Sequence, residues 1–251
     1  MTILRTFLYL FCTCLFLCHA QAEPLILYGQ QDKPPKIYKA ADGSAKGILP
    51  AIVKYIEKEL GQPITLTLLP WARALQAAKQ GSGGIVGFSK TAERELVFDF
   101  SQTPLYYDDV VVVVKKGHEF NFQTPEDLKN KRLAVPRGAS YGPNFEAVKP
   151  LVNLVETNQV DLELEMLLVD RADAALISVG KLGVHCTIQG DPYLRAREKE
   201  FSILPHPFAV GPNYIAFAKI MKQTALLNKI DSILEHAQKS GALQKIIDNA
   251  Q

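Results

Sequence analysis

"SKTAERELVFDFSQTPLYYDDVVVVVKKG", residues 89–117, passes from a charged turn to five consecutive valines, Val110–Val114. The valine run is β-branched and too short for a membrane span, and it suits a buried strand. Arg94 stands just upstream, between Glu93 and Glu95, and the chain then runs straight into Leu96, Val97, Phe98 and Phe100. If Glu93, Glu95 or Asp99 were its partner, the cluster would be an ordinary solvated face of little energetic weight. The other reading turns the guanidinium inward. It is planar and always charged, and it offers two parallel N–H bonds to a carboxylate in a partly dry cleft. The residues on either side bear on that choice.

Upstream, strand and helix signals alternate. "PLILYG" (24–29) is a short strand, and "GILPAIVKYIEKELG" (47–61) has helical spacing, with Ile48, Ile52, Tyr55, Ile56 and Leu60 on one face and Gly61 as a stop. "ITLTLLP" alternates as a strand, "WARALQAAKQG" is helical, and "GGIVGF" is a strand. Downstream of the valines a second series begins. "TPEDLKN" is capped by Thr124 with Asp127, "KRLAVPRG" is a strand, and "SYGPNFEAVK" is helical. "LVNLVET" is a strand, "QVDLELEMLLVDRA" a helix with Val160, Leu164, Leu167 and Leu168 inward, and "DAALIS" a strand. "PNYIAFAK" is a further strand, and the C-terminal stretch is two helices broken at Gly241. Such alternation favours parallel sheets covered by helices. No Pro/Gly-rich linker separates the two series.

Composition narrows the function. The chain has 251 residues, 47% hydrophobic and 22% charged, with a net charge of +2. No run of five like charges occurs, so neither a nucleic-acid arm nor an acidic tail is indicated. Arg5 precedes the apolar stretch "FLYLFCTCLFLC", which leads to Ala20-Gln21-Ala22, a spacing a signal peptidase accepts. Residues 1–22 are therefore read as a signal peptide cleaved after Ala22, giving a periplasmic protein. Cys12, Cys14 and Cys18 leave with it, and Cys186 remains as a lone thiol. Of the histidines outside the leader, only His185 has a ligand type close by, the adjacent Cys186, and neighbouring side chains rarely chelate together. No metal or cofactor is expected.

The order of "GILPAIVKYIEKELG", "PWARALQAAKQG", "SKTAERELVFDFSQTPLYY", "EDLKNKRLAVPRGASYG" and "LLVDRADAALIS" resembles the bacterial extracellular solute-binding proteins of family 3. The resemblance covers nearly all of the chain after residue 22. It implies a periplasmic binding protein-like type II fold, with two α/β lobes joined by two crossing strands, "VVVVVKKG" and "NYIAFAK". The expected lobes are 23–114 plus 215–251, and 115–214. Function follows as hinge closure over a small carboxylate-bearing ligand, an amino acid or related organic acid. An ABC permease or a membrane receptor is the implied partner, and the protein is expected to be a monomer.

Family members place an arginine after "T-x-x" and before an "F-S" segment to hold the ligand's carboxylate, and Arg94 falls on that position. Trp71 matches the aromatic wall, with Phe88 and Ser89 beside it, and Arg73 is a second candidate anion contact. In "RGASYG", residues 137–142, Gly138, Ser140 and Tyr141 present backbone N–H groups and a hydroxyl where a helix is expected to open. One position departs from the pattern. Where many members carry an aspartate for the ligand's ammonium, this chain has Ser178, so either Asp32 or Asp109 meets the amine or the ligand has none.

Two enzyme readings compete. "GASYG" satisfies G-x-S-x-G, with Ser140 as nucleophile and His206 or His236 as its base, yet nothing resembles an oxyanion segment. Cyclohexadienyl dehydratases share the fold and need a buried cleft acid. Glu163 and Glu165 are the acids nearest to consider, and their helix predicts them to be solvated.

Overall fold

The computed structural model describes residues 23–250. The leader reading, with its cleavage site and three cysteines, lies outside the described residues. The first group of strands is β1 (Leu25–Gln30), the short antiparallel β2 (Asp32–Lys33), β3 (Ile37–Lys39) and β4 (Ala45–Lys46), then β5 (Ile64–Leu69) and β6 (Gly84–Phe88). β1 lies between β5 and β6, parallel to both. Helix α1 (Ile48–Leu60) buries Ile48, Leu49, Ile52, Val53 and Ile56, while Tyr55 and Leu60, expected on the same face, are half-buried against that core. It ends at Gly61, whose φ of 64° and N–H bond to Glu57 O close the last turn. Helix α2 is Trp71–Lys79, and the one-turn α3 is Ala92–Glu95.

Strand β7 (Phe98–Phe100) leads to the long β8 (Tyr106–Lys115), and β9 (Arg132–Pro136), α4 (Pro143–Val148), β10 (Asn153–Thr157), α5 (Val160–Leu168) and β11 (Ala174–Ser178) follow. Helices α6 (Gly180–Gly190) and α7 (Pro192–Arg195) precede β12, an 18-residue strand from Phe201 to Ala218. Helices α8 (Thr224–Lys239) and α9 (Ala242–Asn249) return to pack on α1. The principal sheet runs β10-β9-β11-β8-β12-β6-β1-β5, with β7 also on β12. Among the described residues β12 joins the two halves, antiparallel to β6 and β7 on one side and to β8, which pairs β11, on the other.

The valine run is buried on both faces. Val110, Val112 and Val114 pack with Leu133, Phe145 and Leu176, while Val111 and Val113 pack with Leu164, Leu167 and Ile177. All these partners belong to the second α/β series, so Val110–Val114 share its core. A strand buried on both sides reads as a continuous apolar run.

Three local expectations change. Helix α4 starts at Pro143, with Gly142 at its N-cap, three residues after the expected start. Along α5 the buried set is Val160, Glu163, Leu164 and Leu167, so a glutamate takes the place expected for Leu168. Helix α6 had no sequence signal because it contains Gly180, Gly183 and Gly190, and glycine weakens the helical pattern. Gly183 is there for space: a Cβ on it would lie 1.8 Å from Ser178 O.

Candidate functional site

The carboxyl ends of parallel strands in an open α/β sheet face the crevice where ligands bind. Here β1 ends at Gln30, β5 leads into Trp71, β6 leads into Ser89, and β11 ends at Ser178. These four residues line one cavity of about 50 Å³ together with Lys33, Lys36, Arg94, Asp108, Ala139, Ser140, Tyr141, Gly211 and Asn213.

Thr91 sets the turn that carries Arg94: its Oγ1 accepts the Arg94 backbone N–H at 3.3 Å. The side chain then leaves its acidic neighbours. Among the described residues Arg94 has no carboxylate oxygen within ion-pair distance, and Glu93 and Glu95 are exposed. Its Nη1 donates to Ser89 O at 2.8 Å and its Nη2 to Gly138 O at 3.3 Å, across the gap between the lobes. The guanidinium carbon sits 4.2 Å from the centroid of the Phe88 ring. Burial lowers its pKa to about 10, against the opposing pull of Glu146 and Glu93.

Phe88 is fully buried, stacked on Phe100 at 5.3 Å, and does not line the cavity. It is the platform under Arg94 rather than part of the ligand wall. Trp71 is both core and wall: it packs against Phe88 at 5.9 Å, and its Nε1–H donates to Gly138 O at 3.1 Å. Arg73 is exposed on α2 and lies outside the cavity.

Gly138 supplies its carbonyl to Trp71 and Arg94, while its own N–H reaches Glu156 Oε1 at 3.4 Å and Ala139 N–H closes a turn on Pro136 O. Those two amides are therefore committed, and with α4 starting at Pro143 the expected helix-end cradle is absent at Gly138. Ser140 and Tyr141 do reach the cavity. The Tyr141 hydroxyl donates to Leu176 O at 3.1 Å, whereas Ser140 Oγ is buried without a partner. No nucleophile–base pair forms at Ser140, since His206 and His236 are exposed and line no part of this cavity. Ser178 sits in the cavity wall. Asp109 is exposed and outside it, and Asp32 is tied to Gln30 Nε2 at 2.9 Å and the Val160 N–H at 3.2 Å.

Lys33, Lys36, Asp108 and Asn213 are among the wall residues that carried no sequence expectation. Strand alternation is the signal for Asp108, because β8 turns Tyr106, Asp108 and Val110 inward and Tyr107 and Asp109 outward. Its carboxylate meets Lys36 Nζ at 2.5 Å, the Tyr106 hydroxyl at 3.0 Å and the Val179 N–H at 2.8 Å. Burial works to raise the Asp108 pKa, but Lys36, the Val179 N–H and the charge of Lys33 outweigh it and hold it below the usual carboxylate value. Asn213 Oδ1 is a buried acceptor without a partner.

Behind the wall, Glu163 corrects the expectation of a solvated side chain. It is 0% exposed, and neither carboxylate oxygen has a hydrogen-bond partner. Burial pushes its pKa well above the ordinary value, only partly offset by Lys33.

The chain matches the family described as bacterial extracellular solute-binding proteins, family 3, over residues 25–249. The L-cystine-binding protein TcyJ of Escherichia coli is 24% identical over 85% of this chain and 77% of that protein. An ancestral arginine-binding protein bound to arginine superposes with a TM-score of 0.75 at 24% identity, covering 92% of this chain and 99% of that one. A histidine kinase sensor domain with similarity to periplasmic binding proteins gives 0.76 at 18% identity, over 92% and 96%. These likenesses establish the two-lobed binding-protein fold, and the family match over almost the whole described chain makes this protein a member of the bacterial extracellular solute-binding proteins, family 3.

Proposed function

We propose that this protein captures a small carboxylate-bearing ligand, an amino acid or related organic acid, between its lobes and releases it to an ABC permease. The observation that carries this reading is Arg94: a half-buried guanidinium in the cavity wall, backed by Phe88, with no carboxylate at ion-pair distance among the described residues. The ligand's carboxylate supplies the missing partner through two N–H bonds. Ser140 Oγ closes on the ligand from the second lobe, and Trp71 and Ser178 form side walls. Periplasmic placement follows from the family together with the leader.

The hinge is proposed where β8 and β12 pass between the two cores, around Asp108–Asp109 and the paired Val210–Gly211. The lobes are then 23–108 plus 212–250, and 109–211. Closure is favoured by contacts made only when the lobes meet, namely Trp71 and Arg94 on Gly138 O and Val160 N–H on Asp32. The test is a titration of the purified protein with amino acids, keto acids and other small carboxylates, followed by thermal shift and by fluorescence of Trp71, the chain's single tryptophan. Saturable binding by a carboxylate, lost in Arg94→Ala, supports the reading. Equal affinity in the variant contradicts it.

One observation favours a second reading. Glu163 is a buried acid of raised pKa close to the cleft, the property a dehydratase requires of its general acid. Incubation with prephenate or arogenate separates the two, because a binder returns the substrate intact. A sensing role, with a membrane receptor in place of the permease, uses the same pocket.

A further inference from the structure

The charged groups of the cavity wall do not balance. Lys33, Lys36 and Arg94 are cationic, and Asp108 is the one carboxylate among the lining residues. Asp108 is already fully engaged by Lys36, Tyr106 and Val179. Lys33 differs from Lys36 in this respect. It is 8% exposed, with its Nζ 5.4 Å from the centroid of the Tyr141 ring across the cleft, and no carboxylate oxygen lies within ion-pair distance of it among the described residues. Asp32, Asp108 and Glu163 all feel its charge, yet Asp32 is spent on Gln30 and Val160, Asp108 on Lys36, and Glu163 is sealed behind the wall.

An ion withdrawn from water without a counterion is costly, and a cation–π contact recovers only part of that cost. Closing the lobes therefore buries two cations, Lys33 and Arg94, that no carboxylate among the described residues meets at ion-pair distance. An amino acid neutralises one and brings an ammonium, for which the wall offers no free carboxylate: Ser178 is neutral and Asp109 faces solvent. A monocarboxylate leaves the second cation bare. An acid with two separated carboxylates satisfies both.

We propose that the natural ligand is a short organic dicarboxylate without an ammonium group, one carboxylate held by Arg94 and the other by Lys33, with the unpartnered Ser140 Oγ donating between them. This rests on the reading of the cleft as a carboxylate-binding site and specifies its ligand class.

The test is a calorimetric titration of the purified protein with three matched sets. Succinate, malate and 2-oxoglutarate are the amine-free diacids, aspartate and glutamate add the amine, and butyrate and 2-oxobutyrate remove one carboxylate. At least one amine-free diacid is expected to bind about 30-fold or more tighter than its counterparts in the other two sets, the loss expected when one partner of a buried charge pair is missing. Lys33→Met should lower diacid affinity by a similar factor and monoacid affinity by a smaller one. Tighter binding of glutamate or aspartate than of the matched diacids would overturn the dicarboxylate assignment while leaving the carboxylate site standing. So would diacid affinity unchanged in Lys33→Met. Should carboxylates of all three sets and the neutral and basic amino acids fail to bind, the functional reading itself falls. The wild-type comparison needs no variant, so a poorly folding Lys33→Met protein does not blunt the test.

Discussion

Lys36 and Lys33 stand three residues apart, are buried to within one per cent of each other, and face the same cavity from opposite situations. Lys36 ends on Asp108 at 2.5 Å, in a corner that also takes in Tyr106 and the Val179 backbone. Lys33 ends over an aromatic face without an acid, and Arg94, at its own end of the cavity, donates to carbonyls alone. The first corner is structural: its charges pair with each other and hold the first lobe to the turn between β11 and α6. The second pair is unfinished, and an unfinished buried charge is where a ligand gains most.

The widest separation between the two regions is expected in stability. Asp108→Ala strands Lys36 in a buried site and should cost about 3–5 kcal/mol in denaturant unfolding. The double change Lys36→Met with Asp108→Leu should recover most of that loss, because removing both partners leaves no uncompensated charge. Arg94→Ala should do the reverse: free-protein stability within about 1 kcal/mol of wild type, and carboxylate affinity lower by about 2–5 kcal/mol in titration calorimetry.

Glu163 gives a pH signature of intermediate size. Its folded pKa lies above the unfolded value, so the folded state holds a proton that the unfolded chain releases. Its contribution is fully present below the ordinary glutamate pKa and is lost as pH rises through the folded value. Unfolding free energy measured against pH should fall across that window in the wild type, and Glu163→Gln should flatten the fall by up to one proton's slope. The smallest effects belong to side chains turned away from the cavity. Asp109→Ala and Arg73→Ala should each leave ligand affinity within about twofold, the scale of an ordinary surface change.

Much of this was legible in the chain itself, for identifiable reasons. Alternating apolar periods show the two α/β series, and five β-branched residues in a row show a strand buried on both sides. Arg94 stood out because a cation between two glutamates had no apolar reason to precede a buried strand. Asp108 was within reach of the same logic, since strand alternation separates it from Asp109, but the double aspartate masked which one turns inward. Lys33 and Lys36 carry no local signal. Lys33 is covered from the second lobe by Tyr141, 108 residues away, and Lys36 by Asp108 and Tyr106, some 70 residues away. Glu163 was hidden for a related reason: its helix presents acids at 161, 163 and 165, and only the tertiary packing sorts the buried one from the rest.

The sharpest check of an anion-gated clamp is small-angle X-ray scattering of the purified protein, with and without its best-binding carboxylate. The account predicts a larger radius of gyration for the free protein, whose lobes part to hydrate Lys33 and Arg94, and a contraction on ligand addition that disappears in Arg94→Ala. An unliganded protein already as compact as the saturated one would contradict it.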